Sequence, residues 1–288
     1  MLPNEIKYLL NQYGLRPSKS KGQNFLINAN VLQKIIKAAD LSQNDYVLEI
    51  GPGLGVLTEE LIKRSKKVLS IELDKGLVYF LRQKFRGVKN LEILEADILQ
   101  IRNEEIVKLL NCYNFGYKVV ANLPYNITKP VLQKFLKHEP KPEEMTVLTQ
   151  KEVAQKITAK PGEMNILGIS VQFYSRPQII GYVAKDDFYP VPQVESAILK
   201  IKLRPEKIPR ELSAILPKSG FEEKKIWQLI KIGFSSPRKQ LQNNLAAGFK
   251  LSKEEVKKKL KLANLQAEIR PQNLSLADWA RLYLEFMA

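Results

Sequence analysis

Through the N-terminal two thirds of the chain, short apolar runs alternate with stretches in which leucine, isoleucine and valine return every three or four positions. A short run bounded by turn residues predicts a buried strand, and the wider spacing predicts a helix packed by one face. DYVLEI at 45–50 reads as a strand running into glycines, followed by LTEELIKRS as an amphipathic helix. The pair recurs as KVLSIEL (67–73) before LVYFLRQKF, LEILEAD (91–97) before a helix near 104–110, YKVVANL before PVLQKFLKH, and MTVLTQ (145–150) before KEVAQKITA. An N-terminal tail and a helix at 31–39 precede the first strand. Such alternation predicts an α/β fold of Rossmann-like type, a mostly parallel sheet covered on both faces. ISVQFYS (169–175), PQIIGYVAK and SAILKIKL (196–203) read as strands without full helices between them, so one edge is expected to be partly antiparallel.

From Arg204 the pattern changes. RPEKIPRELSAILPKSG is spaced by prolines like a linker, and helical periodicity follows Phe221. The expected division is a catalytic domain at 1–205 and a small all-α domain at 206–288. With 288 residues and 44% hydrophobic side chains, the chain can bury such a core. Its single cysteine, Cys112, excludes an intrachain disulfide and a cysteine-based metal cluster, and no metal site is expected. No apolar run reaches about 18 residues and the N-terminus lacks a secretion-signal pattern, so a soluble cytoplasmic monomer without a membrane partner is expected.

Charge narrows the partners. Lys and Arg number 46 against 30 Asp and Glu, a net +16. Residues 204–288 carry 17 basic and 9 acidic side chains, against 29 and 21 in the first 203 residues, so the excess is densest in the C-terminal third. A polyanion such as nucleic acid is the simplest partner for that excess. The helix LSKEEVKKKLKL alone reads as a solvated face, His138 as an exposed helix end, Cys112 as a passive thiol, and Trp227 and Trp279 as core.

The chemistry sits at the strand ends. VLEIGPGLG places Gly51, Gly53 and Gly55 where a strand turns into a helix, so backbone can approach a ligand closely. Val56 occupies the place where a dinucleotide fingerprint needs glycine or alanine, which argues against a nicotinamide or flavin. Glu72 ends the next strand, 21 residues beyond Gly51, where an acid accepts hydrogen bonds from ribose hydroxyls, and Asp97 ends the one after, where an acid accepts from an adenine amine. A nucleoside without a pyrophosphate fits, and S-adenosylmethionine (SAM) is the expected cofactor. Leu73 and Ile98, which follow the two acids, are expected beside it.

ANLPYNITKP then acquires a role. The lone pair of an adenine exocyclic amine is delocalised into the ring, so the amine is a poor nucleophile. The Asn122 amide oxygen and the Leu123 backbone carbonyl could each accept one amine hydrogen and aim the lone pair at a methyl donor. Pro124 stiffens the turn, and Tyr125 offers a ring face to a base.

These stretches, with KSKGQNFLIN, LTQKEVAQKITAKPG, DDFYPVPQVESAILKI and FSSPRKQLQNNL, resemble the ribosomal RNA adenine dimethyltransferases of the KsgA/RsmA type and their Erm relatives over nearly the whole chain. The resemblance implies dimethylation of adenines in ribosomal RNA, two adjacent ones near the 3′ end of the small-subunit (16S) RNA, during assembly of the small ribosomal subunit from its precursor. It implies cofactor contacts at Gln23, Asn24, Leu26, Gly51, Gly53, Glu72, Asp97 and Asn122, catalysis at Asn122, Leu123 and Tyr125, and a second stacking ring at Phe188. Arg238 and Lys239 are the implied RNA contacts. The sequence departs from the family at Ile166, Leu167, Gly168, Ile169 and Ser170, and at Pro237, where an arginine is usual. A large-subunit methyltransferase and a non-enzymatic RNA-binding factor on the same fold remain as alternatives.

Overall fold

The computed structural model describes residues 3–15, 23–205, 210–216 and 221–287; the tail stretch 16–22 and parts of the proline-spaced linker lie outside the described residues. The strands are β1 (Phe25–Leu26), β2 (Tyr46–Ile50), β3 (Lys67–Glu72), β4 (Leu91–Glu95), β5 (Lys118–Asn122), β6 (Glu144–Gln150), β7 (Ser175–Val183), β8 (Phe188–Tyr189) and β9 (Ser196–Leu203). Seven of them form one sheet in the order β4-β3-β2-β5-β6-β9-β7. The first five in that order run parallel, and β9 lies antiparallel between β6 and β7. β2 is buried at all five positions, as a central strand covered on both faces must be.

The chain steps outward from β2 through β3 to β4, then returns to place β5 on the other side of β2. That reversal leaves a crevice at the carboxyl ends of β2 and β5, the place where open α/β sheets bind ligands. Helices α2 (Ala29–Ala39), α3 (Val56–Arg64), α4 (Lys75–Lys84), α5 (Asn103–Leu110) and α6 (Thr128–Lys137) connect or precede these strands. Asn28 and Asp74 cap α2 and α4 by accepting backbone N–H bonds with their side chains, which fixes where each helix starts.

Two expectations are corrected. The N-terminal tail contains a helix, α1 (Pro3–Gln12), whose Ile6 and Leu10, four positions apart on one face, are buried with Phe25, Leu54, Leu77 and Phe80. ISVQFYS is not a strand: residues Ile166–Tyr174 form helix α8, after α7 (Lys151–Ile157). Ile169-Ser170-Val171-Gln172-Phe173 alternates apolar and polar positions, the period of a half-buried strand, so the local pattern points away from the helix that forms. Tertiary packing decides it. A Cβ on Gly168 would come within 2.5 Å of the Lys156 carbonyl oxygen, and the Gln172 amide donates to the carbonyls of Ile157 and Ala159.

The chain divides into two compact units, Met1–Ala154 with Ser175–Leu203, and Gln155–Tyr174 with Arg204–Ala288. Residues 155–174, expected in the catalytic domain, therefore group with the C-terminal helices. Short helix α9 (Arg210–Ser213) and helices α10 (Glu223–Gly233), α11 (Leu241–Phe249), α12 (Lys253–Leu262) and α13 (Leu276–Met287) complete the second unit. Its core holds Leu229, Ile230, Leu241, Leu245, Leu260, Trp279 and Leu282. α8 joins it through Phe173, whose ring lies 5.4 Å from that of half-buried Trp227, and through Tyr174, whose hydroxyl donates to the Glu223 carboxylate. No described helix is long and apolar enough to cross a membrane.

Candidate active site

A cavity of about 320 Å³ opens where the chain reverses between β2 and β5. It is lined by Gln23, Asn24, Leu26, Gly51, Gly53, Glu72, Leu73, Asp97, Ile98, Asn122, Leu123 and Tyr125; of the cofactor and catalytic residues named from the sequence, Gly55 and Phe188 are not among them.

The glycine turn forms one wall. Gly53 holds a φ of +57°, in the left-handed region, and its N–H points at Glu72 Oε2 at 3.4 Å. A Cβ there would sit 3.1 Å from the Phe25 ring, so a side chain would crowd the segment that covers the turn. Glu72, 7% exposed at the end of β3, also accepts from the Asp74 N–H at 2.9 Å. A carboxylate has about four lone-pair positions, so these backbone donors leave acceptor capacity free. Burial pushes its pKa up, against the pull of these backbone hydrogen bonds. Asp97, just past β4, uses Oδ1 to accept from the Leu99 N–H at 2.9 Å and faces the same cavity.

Glu49 also lines the cavity and was not singled out from the sequence. It stands in the middle of an otherwise apolar strand, and that was the available signal. Its Oε2 accepts from the Thr58 hydroxyl at 2.7 Å and the Ser70 hydroxyl at 2.6 Å, while Oε1 is buried without a partner among the described residues. Burial lifts its pKa to about 7; repulsion from Glu72 adds to that, and the two hydroxyls and Lys84 oppose it.

Asn122 ends β5 with its side-chain nitrogen donating to the Asn24 backbone carbonyl at 3.0 Å. A carbonyl only accepts, so the amide end facing Asn24 must be the NH₂ group, and the acceptor oxygen is turned the other way. Asn24 is itself fixed, because β1 pairs with β8 in the register Phe25↔Tyr189 and Leu26↔Phe188, and the Ile27 N–H donates to the Asp187 carbonyl at 2.9 Å. Pro124 then leads into a short 3₁₀ turn, Tyr125–Ile127. Tyr125 lines the cavity, and its hydroxyl meets Ser196 Oγ at 2.6 Å.

Phe188 does not stand where a second stacking ring was expected. It is 1% exposed and packs in the core with Leu26, Ile35, Val120, Leu148 and Ile198, because its pairing opposite Leu26 turns the ring inward. Arg238 and Lys239 are exposed in the turn between α10 and α11, which Asn244 braces by donating to the carbonyls of Gly233 and Ser236. They belong to the second unit. Trp279 is core, as expected, Cys112 is buried with its thiol pKa pushed up by burial, and His138 is exposed at the end of α6.

The turn without a dinucleotide fingerprint, the two strand-end acids and a buried carboxylate oxygen lacking a partner fit a nucleoside ligand that carries positive charge. Together with an amide oxygen and an aromatic face, they define a Rossmann-like methyltransferase acting on a planar amine. The chain belongs to the ribosomal RNA adenine dimethylase family, whose profile it matches over residues 15–287. It is accordingly a methyltransferase for adenine in ribosomal RNA. It is similar to the ribosomal RNA small subunit methyltransferase A of Dehalococcoides mccartyi strain ATCC BAA-2266, 44% identical with 98% of this chain and 92% of that protein covered. The protein of the same name from Alkaliphilus metalliredigens is 35% identical, covering 99% and 97%. Among solved structures, the 23S rRNA methyltransferase ErmE has a TM-score of 0.71 at 26% identity over 92% of this chain and 100% of that one. A dimethyladenosine transferase from Plasmodium falciparum has 0.71 at 28% over 91% and 97%.

Proposed function

We propose that this protein dimethylates the exocyclic amines of two adjacent adenines near the 3′ end of small-subunit ribosomal RNA during subunit assembly, acting as a monomer with SAM as cofactor. The relatives at 35–44% identity carry a small-subunit name, whereas similarity to the large-subunit enzyme ErmE stands at 26%, which favours the small subunit. Gly51 and Gly53 let backbone close on the cofactor, Glu72 accepts from its ribose hydroxyls, Asp97 from its adenine amine, and Gln23, Asn24, Leu26, Leu73 and Ile98 complete the walls. SAM supplies the electrophilic methyl group.

The observation that carries the reading is the Asn122–Asn24 hydrogen bond. It presents the Asn122 oxygen, not the nitrogen, to an incoming amine. That oxygen and the Leu123 carbonyl accept the two amine hydrogens, withdraw the lone pair from the ring and orient it, while Tyr125 holds the base by one face. No strong base is needed, because the nitrogen becomes acidic only as it gains the methyl group. Positioning of this kind is worth about 7 to 11 kcal/mol in favourable cases. The C-terminal unit, with Arg238 and Lys239, docks on RNA phosphates.

Asn122→Ala tests the proposal. Methyl transfer to unmethylated small subunits should fall by about 100-fold or more, by analogy with removal of a transition-state hydrogen-bonding group, while SAM affinity stays within a few-fold. Near-normal turnover would reject the mechanism.

A further inference from the structure

We infer that Ser196 is a positioning residue for the acceptor base: its hydroxyl fixes the Tyr125 ring against which that base lies. The inference rests on the proposed stacking role of Tyr125 and extends it to a residue 71 positions away in sequence.

Tyr125 follows a proline in a short turn, a setting that by itself leaves a long side chain free to swing about its first torsion. The only polar atom of that side chain is the phenol oxygen, which meets Ser196 Oγ at 2.6 Å. Ser196 is 0% exposed and is the first residue of β9, paired with Gln150 on one side and Val183 on the other. The residue before it is braced as well, since the Glu195 carbonyl accepts from the Lys151 N–H at 3.0 Å and its carboxylate meets Lys151 Nζ at 2.6 Å. Ser196 is therefore a post held by backbone from both neighbouring strands.

At the other end, the Tyr125 turn is tied down by Thr128, whose hydroxyl lies 3.1 Å from the buried Thr149 hydroxyl. With both ends fixed, the hydrogen bond sets the direction of the ring axis. When the phenol donates, its O–H prefers the ring plane through conjugation, so the bond also restrains rotation of that plane. The face offered to the base is then set in advance, and the entropy of ordering it is not charged to each encounter. Burial raises the Tyr125 pKa, so the hydroxyl stays protonated at neutral pH and serves as a tether, not a proton carrier. The stretch DDFYPVPQVES is thereby given two jobs: Phe188 closes the core, and Ser196 reaches the site.

The test is a double-mutant cycle of Ser196→Ala and Tyr125→Phe, with methyl transfer to unmethylated small ribosomal subunits as readout. Each single change should lower kcat/KM by about fivefold, the equivalent of one hydrogen bond, with SAM affinity nearly unchanged and the thermal midpoint lowered by no more than the loss of one buried hydrogen bond implies. The double variant should be no worse than either single one, because both remove the same bond. Independent, multiplicative losses, or a Ser196→Ala enzyme with the wild-type rate, would overturn the inference. Tyr125→Ala separates the two levels. If it abolishes transfer while the cycle shows no coupling, stacking stands and the tether fails; if it is fully active, both fail.

Discussion

Replacing Glu49 by glutamine removes one titration from the wall of the cavity and changes almost no volume. The glutamine oxygen can take the place of Oε2 and accept from Thr58 and Ser70, and its NH₂ group falls where Oε1 has no partner. In the wild type, burial first and repulsion from Glu72 second lift the carboxyl from an ordinary 4.5 to about 7, against Lys84 and the two hydroxyls. The folded protein thus holds this proton more tightly than the unfolded chain does. Its contribution to stability is complete below 4.5 and is lost as pH rises through about 7. Between about pH 5 and pH 8 the linkage relation gives a loss of about 2 to 3 kcal/mol. Glutamine abolishes that term, and all other groups are shared. Urea unfolding of both proteins across this range should therefore show the variant gaining about 2 to 3 kcal/mol on the wild type from the acid to the alkaline end. Saturating SAM, a cation, should flatten the wild-type dependence by favouring the ionised carboxylate. A difference between the two proteins that stays constant across the range would refute the assignment of a proton to Glu49.

Glu72→Ala should weaken SAM binding by roughly ten- to a hundredfold in calorimetry, the equivalent of a charge-assisted hydrogen bond, and should also lower the thermal midpoint, since the Gly53 and Asp74 N–H groups lose their acceptor. An unchanged dissociation constant would make Glu72 a structural cap. Phe188→Ala should act on the fold, costing about 3 to 5 kcal/mol in denaturant unfolding, with Phe188→Leu largely retaining stability; loss of activity at full stability would return the residue to base stacking. Arg238→Ala with Lys239→Ala should weaken RNA binding and lower its salt dependence by about 0.7 to 0.9 for each phosphate no longer neutralised, leaving SAM affinity alone. A salt slope equal to wild type would make these charges a solvated face.

Local periodicity determined much of this protein. Five runs became the parallel strands β2 to β6; the inner ones are apolar because a strand covered on both faces buries both sets of side chains, while β4 at the sheet edge, LEILE, is only partly buried. The glycines, Glu72, Asp97 and Asn122 were legible because the carboxyl end of a parallel strand is a fixed place in the fold, so an unusual residue there already has an address. Where the local pattern misled or was silent, packing decided. Residues 166–174 became a helix because Gly168 and Gln172 fit the preceding helix end, and Phe188 became core because its pairing with Leu26 sets which face it takes. Only the tertiary structure could join Asn24 to Asn122, Ser196 to Tyr125, and Glu49 to Thr58 and Ser70. A hydrogen bond depends on separations of a few tenths of an ångström between groups far apart in the chain, and no spacing along one strand or helix encodes that distance.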